Sequence, residues 1–274
     1  MYRNAFRLFD VSLRDGLQAS IKQYDMKFKR NLLHNIISRD IKDIEIGSLV
    51  SPNRLPQMKD SVELFKYAKS IGMEDINYYM LFPNSKKVLQ GLQMGVQNFS
   101  LITSVSDAFQ RKNINKTLDE TKDDLDCSLK MLTSKNNNIK NIKLYVSCIN
   151  ECPIDGKIST TNIIRELITY YYDYGHITNI CLSDTCGTLS PNIFEEMISR
   201  LILEGIDTKK LSLHLHSNDN DRSRIQSIMD ISLNNNIKLF DVSLLDTGGC
   251  SVTIDKKKIR RNMNYDDIKN YLHI

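Results

Sequence analysis

The chain has 274 residues, of which 41% are hydrophobic and 26% charged, and its formal net charge at pH 7 is +4. This length can form one large α/β barrel or two small domains, and the composition is that of an ordinary globular protein. The mild positive charge suits an anionic small molecule. The sequence has no basic stripe interleaved with aromatic residues and no Cys/His finger spacing, so nucleic acid is not expected as a partner. No apolar run approaches the ~20 residues of a membrane helix, so no membrane partner is expected.

Strand-like and helix-like segments alternate along the whole length. In chain order, strands are predicted at 6–12, 43–47, 76–80, 98–102, 142–148, 179–182, 211–216 and 239–244, and helices at 27–38, 59–70, 85–94, 114–134, 160–174, 191–203, 222–234 and 266–272. Eight consecutive βα units predict a single (β/α)8 TIM barrel that occupies residues 1–274 as one domain. The main alternative is an open doubly wound sheet, but no Gly-x-Gly-x-x-Gly turn follows the first strand.

The start of the chain and its six cysteines bear on the compartment. The first predicted strand begins within a few residues of the N-terminus, which leaves no room for a signal or transit peptide and predicts a cytoplasmic protein. The cysteines are then expected to be free thiols. Because no Cys-x-x-Cys pair occurs, a structural zinc site is not expected.

Polar residues recur at the carboxyl ends of the predicted strands, where barrel enzymes carry their chemistry. They are Arg14 and Asp15 after the first strand, Glu45 and Ser48 at the second, Ser147 and Cys148 at the fifth, Asp184 and Thr185 at the sixth, His214 and His216 in the seventh, and Cys250 after the eighth. Scattered structural residues would have no reason to prefer one end of so many strands. The pattern therefore predicts an active site at this end of the barrel.

His214 and His216 lie two residues apart on one predicted strand, so their side chains share a face. Taken alone, they can be two partly buried histidines bonded to backbone or carboxylate groups. Asp15 follows the first strand, which lies close to the seventh in a closed barrel, and the three together predict a metal site. Oxygen and imidazole ligands favour Mg²⁺ or Mn²⁺ over Zn²⁺.

Two further candidates each allow two interpretations, and Asp10 is a third candidate with one interpretation. Arg14 either pairs with Asp15 or Glu45 alone, or stabilises an oxyanion or enolate beside a metal ligand. Cys250 follows two glycines, so it is either an inert buried thiol or a thiol on a mobile loop that exchanges protons. Asp10 is expected to point into the barrel as a partner of the metal ligands.

At these residues the sequence resembles the 3-hydroxy-3-methylglutaryl-CoA (HMG-CoA) lyases, within the metal-dependent lyase, aldolase and synthase superfamily of TIM barrels. The resemblance is carried by residues 14–18, 44–52, 56–58, 112–115, 145–148, 152–153 and 156–159, and by Ser183-Asp184-Thr185, His214-x-His216 and Gly248-Gly249-Cys250. Leu17 stands where the isopropylmalate and homocitrate synthases usually carry Glu, which favours the lyase. A condensing synthase or an aldolase on the same barrel is the alternative.

The resemblance implies a cofactor, roles for particular residues and a reaction. It implies a divalent cation, Mg²⁺ or Mn²⁺, held by Asp15, His214, His216 and Asn262. It implies catalytic roles for Arg14, Glu45, Asp184, His214 and Cys250, with His214 and Asp184 as alternatives for the base, and substrate contacts for Arg14, Ser48, Tyr145 and Thr185. The implied reaction cleaves the acyl-CoA substrate to acetyl-CoA and acetoacetate, and a homodimer is compatible with it.

Several positions depart from the family pattern. Ser217 and Asn220 replace an aspartate and a glycine, Asp246-Thr247 precede the glycine pair, Ser251 follows the cysteine in place of proline, and the chain stops soon after the eighth unit. A barrel that binds acyl-CoA or a partner without turnover is therefore a third interpretation. The basic run of Lys256, Lys257, Lys258, Arg260 and Arg261 is either a solvated loop or a contact for the CoA phosphates.

Overall fold

Eight parallel strands close into a barrel. A computed structural model describes residues 6–218, 221–249, 253–254 and 260–272. Its strands are β1 (Arg7–Asp10), β2 (Asp43–Ser48), β3 (Asn77–Leu81), β4 (Asn98–Ser104), β5 (Asn141–Ser147), β6 (Glu151–Cys152), β7 (Gly156–Lys157), β8 (Asn179–Asp184), β9 (Leu211–Ser217), β10 (Leu239–Val242) and β11 (Arg261–Asn262). β10 pairs in parallel with β1 on one side and β9 on the other, which closes the sheet. The predicted TIM barrel is confirmed, and the open sheet is excluded.

Three short strands lie outside the barrel wall and were not predicted. β6 and β7 form a small antiparallel hairpin in the connection after β5. β11 pairs antiparallel with the carboxyl end of β9, so that Asn262 lies opposite His216. This last pairing brings a residue from near the end of the chain to the rim of the barrel.

The helices surround the barrel. They are α1 (Met26–Ile37), α2 (Ser61–Ser70), α3 (Ser85–Gln93), α4 (Asp107–Ile114), α5 (Leu118–Leu132), α6 (Thr160–Asp173), α7 (Pro191–Leu203), α8 (Arg222–Asn234) and α9 (Tyr265–Leu272). No helix within the described ranges is long and apolar enough to cross a membrane.

The predicted helix at 114–134 was wrong in its first part and missed α4. Asn115 adopts a left-handed backbone conformation with φ of 58° and ends α4. Thr117 and Glu120 then form a reciprocal capping box, which satisfies free backbone N–H groups and starts α5. A single helix cannot run through the left-handed residue.

Two copies of one hexapeptide, Leu-Phe-Asp-Val-Ser-Leu at 8–13 and 239–244, supply the adjacent strands β1 and β10. The copies pair one residue out of step, so that Phe9 lies opposite Asp241. Since side chains alternate across a strand, this offset turns equivalent residues to opposite faces. Phe9 packs in an apolar cluster inside the barrel, and Asp10 occupies the other face.

Asp10 consequently faces the helices, and the expectation that it points into the barrel was wrong. Its carboxylate accepts hydrogen bonds from the hydroxyl of Tyr265 in α9 at 2.7 Å and from the backbone and side chain of Ser12. Asp241 of the second copy takes the inward position instead.

Candidate active site

A single π-helical turn presents the first two site residues. Ser12–Gly16 follows β1, and the N–H of Gly16 donates to the carbonyl oxygen of Val11 at 3.1 Å. Turns of this kind are rare and occur frequently at functional sites. A Cβ on Gly16 would lie 2.8 Å from the Ser243 hydroxyl and 3.3 Å from the Leu245 side chain, so a larger residue here would displace these side chains after β10. The turn directs the adjacent Arg14 and Asp15 toward the barrel mouth.

A cavity of about 280 Å³ opens at the carboxyl ends of the strands. The predicted site residues that line it are Arg14, Asp15, Ser48, Tyr145, Thr185, His214 and His216. Apolar residues cover much of the remaining wall, among them Leu81, Ile102 and Phe109. Glu45 is fully buried behind Arg14. The structure thus brings most of the predicted residues to one place.

Arg14 lies between two buried carboxylates. Its Nε donates to Glu45 Oε2 and its Nη1 to Asp15 Oδ1, each at 2.5 Å, and Tyr145 donates its hydroxyl to the same Glu45 oxygen at 3.1 Å. Burial alone would lower the pKa of Arg14, but the two carboxylates raise it well above its ordinary value. Burial likewise opposes ionisation of Asp15, yet Arg14 and the two site histidines hold the pKa of Asp15 well below its usual range. Both charges therefore persist at neutral pH.

Asp15, His214 and His216 form a group that can hold a metal ion. Their candidate ligand atoms lie within 4.8 Å of one another. Asp15 Oδ2 is 3.8 Å from Nε2 of each histidine, which is too long for a hydrogen bond and leaves room for an ion between them.

The buried Asn262 extends the same group. Its two side-chain polar atoms, like Nε2 of His216, have no hydrogen-bond partner among the described residues. Buried polar atoms without partners are costly. A cation would account for two of these atoms, Nε2 of His216 and Oδ1 of Asn262, because each offers it a lone pair.

The outer nitrogens of both histidines are already engaged. Nδ1 of His214 lies 3.0 Å from Asp241 Oδ2, and Nδ1 of His216 lies 2.9 Å from the backbone oxygen of Asp184. Both partners are acceptors, so each Nδ1 carries the proton and each Nε2 offers a lone pair. This is the usual arrangement of metal-binding histidines. The donor set of carboxylate, imidazole and amide groups therefore fits a divalent cation.

The structure does not bring the Asp184 carboxylate into this group. It accepts the backbone N–H groups of Thr188 and Leu189 and pairs with Arg224 at 3.0 Å. Burial raises its pKa despite these contacts. Asp184 thus ties down the loop after β8, and it supports His216 through its backbone oxygen rather than through its side chain.

Two buried charges below the cavity were missed by the sequence analysis. Asp241 contacts His214, and its other oxygen pairs with Lys143 at 2.5 Å. Burial alone would raise the pKa of Asp241, but Lys143 and the His214 hydrogen bond hold it below its ordinary value. The available signal was a charged residue in the middle of each of two otherwise apolar barrel strands, since such strands are buried on both faces.

Cys250 and Lys256–Lys258 lie outside the described residues, so their predicted roles stay predictions. Two glycines before the cysteine do contact the site. The N–H of Gly249 donates to Asp15 Oδ2 at 3.0 Å, and Gly248 packs directly against Asn262.

The two described arginines of the basic run are engaged within the fold. Arg260 binds the carbonyl oxygen of Gly187 and the carboxylate of Asp221, each at 2.7 Å, and Arg261 pairs with Asp267. They hold the segment before α9 against the barrel.

Comparisons with known proteins identify the family of this chain. A family model described as HMGL-like matches residues 5–223. The chain is 30% identical over 244 residues to the mitochondrial hydroxymethylglutaryl-CoA lyase of Homo sapiens, covering 89% of this chain and 72% of that protein. It is 28% identical over 249 residues to the 3-hydroxy-3-isohexenylglutaryl-CoA/hydroxy-methylglutaryl-CoA lyase of Pseudomonas aeruginosa, covering 89% and 78% of the two chains.

Solved structures give the same result. A hydroxymethylglutaryl-CoA lyase from Pseudomonas aeruginosa superposes with a TM-score of 0.84 at 26% identity, covering 98% of this chain and 85% of that one. An HMG-CoA lyase from Acinetobacter baumannii, in complex with coenzyme A and 3-methylmalate, superposes with a TM-score of 0.84 at 25% identity, covering 100% and 85%. The chain therefore belongs to the HMGL-like family and is an enzyme of the carbon–carbon lyase class.

Proposed function

We propose that this protein is a divalent-metal-dependent lyase that cleaves 3-hydroxy-3-methylglutaryl-CoA, or an acyl-CoA with a similar branched 3-hydroxyacyl group, and that residues 1–274 form one catalytic barrel. The observation that carries the proposal is the convergence of Asp15 Oδ2 and two histidine Nε2 atoms within 4.8 Å of one another, in a cavity that Arg14 also lines. The products are acetyl-CoA and, from the methyl-substituted substrate, acetoacetate.

The residues proposed to hold the cation are Asp15, His214, His216 and Asn262. A divalent cation at this position, Mg²⁺ or Mn²⁺ by its oxygen and imidazole ligands, supplies positive charge that lowers the pKa of the substrate 3-hydroxyl. Asp15 keeps its negative charge for this purpose because Arg14 holds its pKa down against burial. Asn262 adds a neutral oxygen without further negative charge.

Arg14 is proposed to stabilise the charge that develops during cleavage. When the bond between C2 and C3 breaks, the hydroxyl oxygen becomes the ketone of acetoacetate and the bonding electrons pass to the acetyl-CoA fragment as an enolate. Arg14 is held by Glu45 and Asp15, so it is already oriented toward the cavity before the substrate arrives. Such preorganised charge is worth a few kcal/mol in a site that excludes water.

Two proton transfers complete the reaction. Of the two base candidates, His214 lines the cavity and the Asp184 carboxylate is engaged by Arg224 and the loop after β8. His214 is therefore the better candidate to accept the hydroxyl proton, in a state where its Nε2 is not bound to the cation. Cys250 is proposed to return a proton to the enolate carbon.

The rest of the cavity fits a branched acyl thioester. Ser48, Tyr145 and Thr185 supply polar contacts, and the apolar wall suits the substituent on C3. Arg54 and Lys87 line the same cavity and give it positive charge for the CoA phosphates. Because a similar lyase of Pseudomonas aeruginosa is named for an isohexenyl as well as a methyl substrate, the acyl substituent is best determined by direct comparison.

The deciding experiment incubates the purified protein with Mn²⁺ or Mg²⁺ and HMG-CoA and assays acetoacetate, with and without a chelator. The 3-isohexenyl thioester is assayed in parallel. We expect metal-dependent acetoacetate formation that is lost in Asp15→Asn and retained in Asp10→Asn, a matched replacement of a buried aspartate on the opposite face of β1.

Other outcomes would identify the alternatives. Condensation of acetyl-CoA with an oxo acid, or turnover of pyruvate, would indicate a synthase or an aldolase. Tight thioester binding without turnover would indicate a binding protein that has lost its activity. A cytoplasmic location is proposed with the lyase function, and fractionation of the source cells tests it.

A further inference from the structure

We propose that Lys143 and Asp241 together fix which nitrogen of His214 carries the proton, so that Lys143 acts as a positioning residue for a metal ligand through Asp241. The inference rests on the proposed metal site and deepens it.

Lys143 lies in the middle of β5 with 1% of its surface exposed. Its Nζ pairs with Asp241 Oδ1 at 2.5 Å, and it lies 3.4 Å from the ring centroid of Phe9 and 4.7 Å from that of Tyr145. Burying a cation and a carboxylate together is rarely favourable over packing apolar residues in the same space. The pair therefore calls for a functional explanation.

The hydrogen-bonding capacity of each group determines which nitrogen of His214 carries the proton. An ammonium has three donors and no acceptor, so the atom of residue 241 that faces Lys143 must be an acceptor. Asp241 Oδ1 takes this role, and Oδ2 is left to face Nδ1 of His214 at 3.0 Å. Nδ1 then carries the proton, and Nε2 presents its lone pair to the space beside Asp15.

The role of Lys143 becomes visible when Asp241 is replaced by asparagine. An amide has one acceptor oxygen and one donor nitrogen, and Lys143 would retain the oxygen. The amide NH₂ would then face Nδ1 of His214, which must become an acceptor, and the proton would move to Nε2. An imidazole protonated at Nε2 cannot ligate from that nitrogen. Replacing an orienting aspartate by asparagine produces the same kind of wrong tautomer in serine proteases.

Two variants separate this role from mere packing. In the double variant Asp241→Asn/Lys143→Met, no ammonium demands the amide oxygen, so the amide can turn its oxygen toward His214 and restore the proton to Nδ1. Removing a second buried group is thus expected to recover binding that the first replacement lost. Lys143→Arg keeps a side chain that only donates hydrogen bonds, so the His214 tautomer is expected to stay as it is in the natural protein.

The experiment uses the full chain labelled with ¹⁵N-histidine and freed of metal. Long-range ¹H–¹⁵N spectra above the pKa of histidine report the tautomer of His214, assigned by its replacement, and Mn²⁺ titration followed by electron paramagnetic resonance reports affinity. The matched control is Asp10→Asn, since Asp10 occurs in the identical hexapeptide, is equally buried and faces the helices instead.

We expect Asp241→Asn to shift His214 to the Nε2–H tautomer and to weaken Mn²⁺ binding by roughly 10- to 100-fold, the usual effect of losing a partner of a metal-binding histidine. The double variant should bind Mn²⁺ more tightly than Asp241→Asn alone, and Asp10→Asn should change neither readout. An unchanged tautomer in Asp241→Asn, or a double variant that binds no better than the single one, overturns the inference. Failure of the natural protein to bind Mn²⁺ would instead refute the proposed metal site, while the tautomer readout in metal-free protein still tests the inference.

Discussion

Replacement of Arg14 by glutamine separates catalysis from structure at this site. The Arg14 side chain is 7% exposed, and it pairs with Glu45 and Asp15. Its loss should lower turnover by about 10²–10³-fold, or roughly 3–4 kcal/mol, which is the effect of removing one preorganised donor to an oxyanion. It also leaves two buried carboxylates without their cation. Removing one partner of a buried pair costs about 3–5 kcal/mol, and the upper end is expected here because one cation serves both carboxylates.

The double variant Arg14→Gln/Glu45→Gln provides the control. It removes one of the unpaired carboxylates, so the unfolding free energy measured with urea on metal-free protein should partly recover. Turnover of the double variant, measured as acetoacetate formation, should not recover. In the single variant Arg14→Gln, Mn²⁺ affinity should change less than turnover. If turnover and stability recovered together, or if Arg14→Gln lost turnover and Mn²⁺ affinity equally, a purely structural role for Arg14 would follow.

Three further predictions concern the metal and the surroundings of the site. A Cβ on Gly248 would lie 2.5–2.7 Å from atoms of Asn262. Gly248→Ala should therefore weaken Mn²⁺ binding by about 10-fold or more. Gly175→Ala is the control, because nothing lies within 4 Å of its Cβ, and it should leave the Mn²⁺ titration unchanged. Burial raises the pKa of Asp10 from 3.8 to about 6, so its contribution to stability is fully present below about pH 4 and is lost as the pH rises through 6. By linkage this contribution should fall by at most ~3 kcal/mol over this range, measured as the difference in urea unfolding free energy between the natural protein and Asp10→Asn at each pH. Mn²⁺ at 100 times its dissociation constant should stabilise the protein by about 2.7 kcal/mol, as measured by urea unfolding, and a chelator should abolish the gain; equal stability with and without Mn²⁺ would contradict the metal site.

Much of the fold and site could be predicted because the relevant signals are local. Most barrel strands are largely apolar, and polar residues recur at their carboxyl ends, so the barrel and the approximate position of the site both follow from pattern. The spacing of His214 and His216 fixes their common face for the same reason. The division of the region 114–134 was missed because the left-handed conformation of a single residue, Asn115, gives no strong signal in the sequence.

The two aspartates of the repeated hexapeptide could not have been assigned from sequence. Asp10 and Asp241 have the same two residues before them and the same three residues after them. What distinguishes them is a one-residue offset between β1 and β10, and this depends on how the whole sheet closes. The orientation of Asp184 could not be predicted for a similar reason. A side chain at the end of a strand can face the cavity or the following loop, and here the N–H groups of the loop and Arg224 determine that it faces the loop.

The position of the candidate site at the junction of β1 and β10 has a consequence for how the protein matures. Asp15 and Gly249, which are hydrogen-bonded, are 234 residues apart in the chain, and Asn262 is added from still later in translation. The candidate ion-binding group therefore cannot assemble on a nascent chain until residue 262 has left the ribosome and the segments around Asp15 and Gly249 have met. Contacts between residues this far apart in sequence form slowly. An ion bound there would stabilise the closure of the barrel between β1 and β10. Metal uptake during refolding should thus report the final step of folding and lag behind the appearance of helical structure.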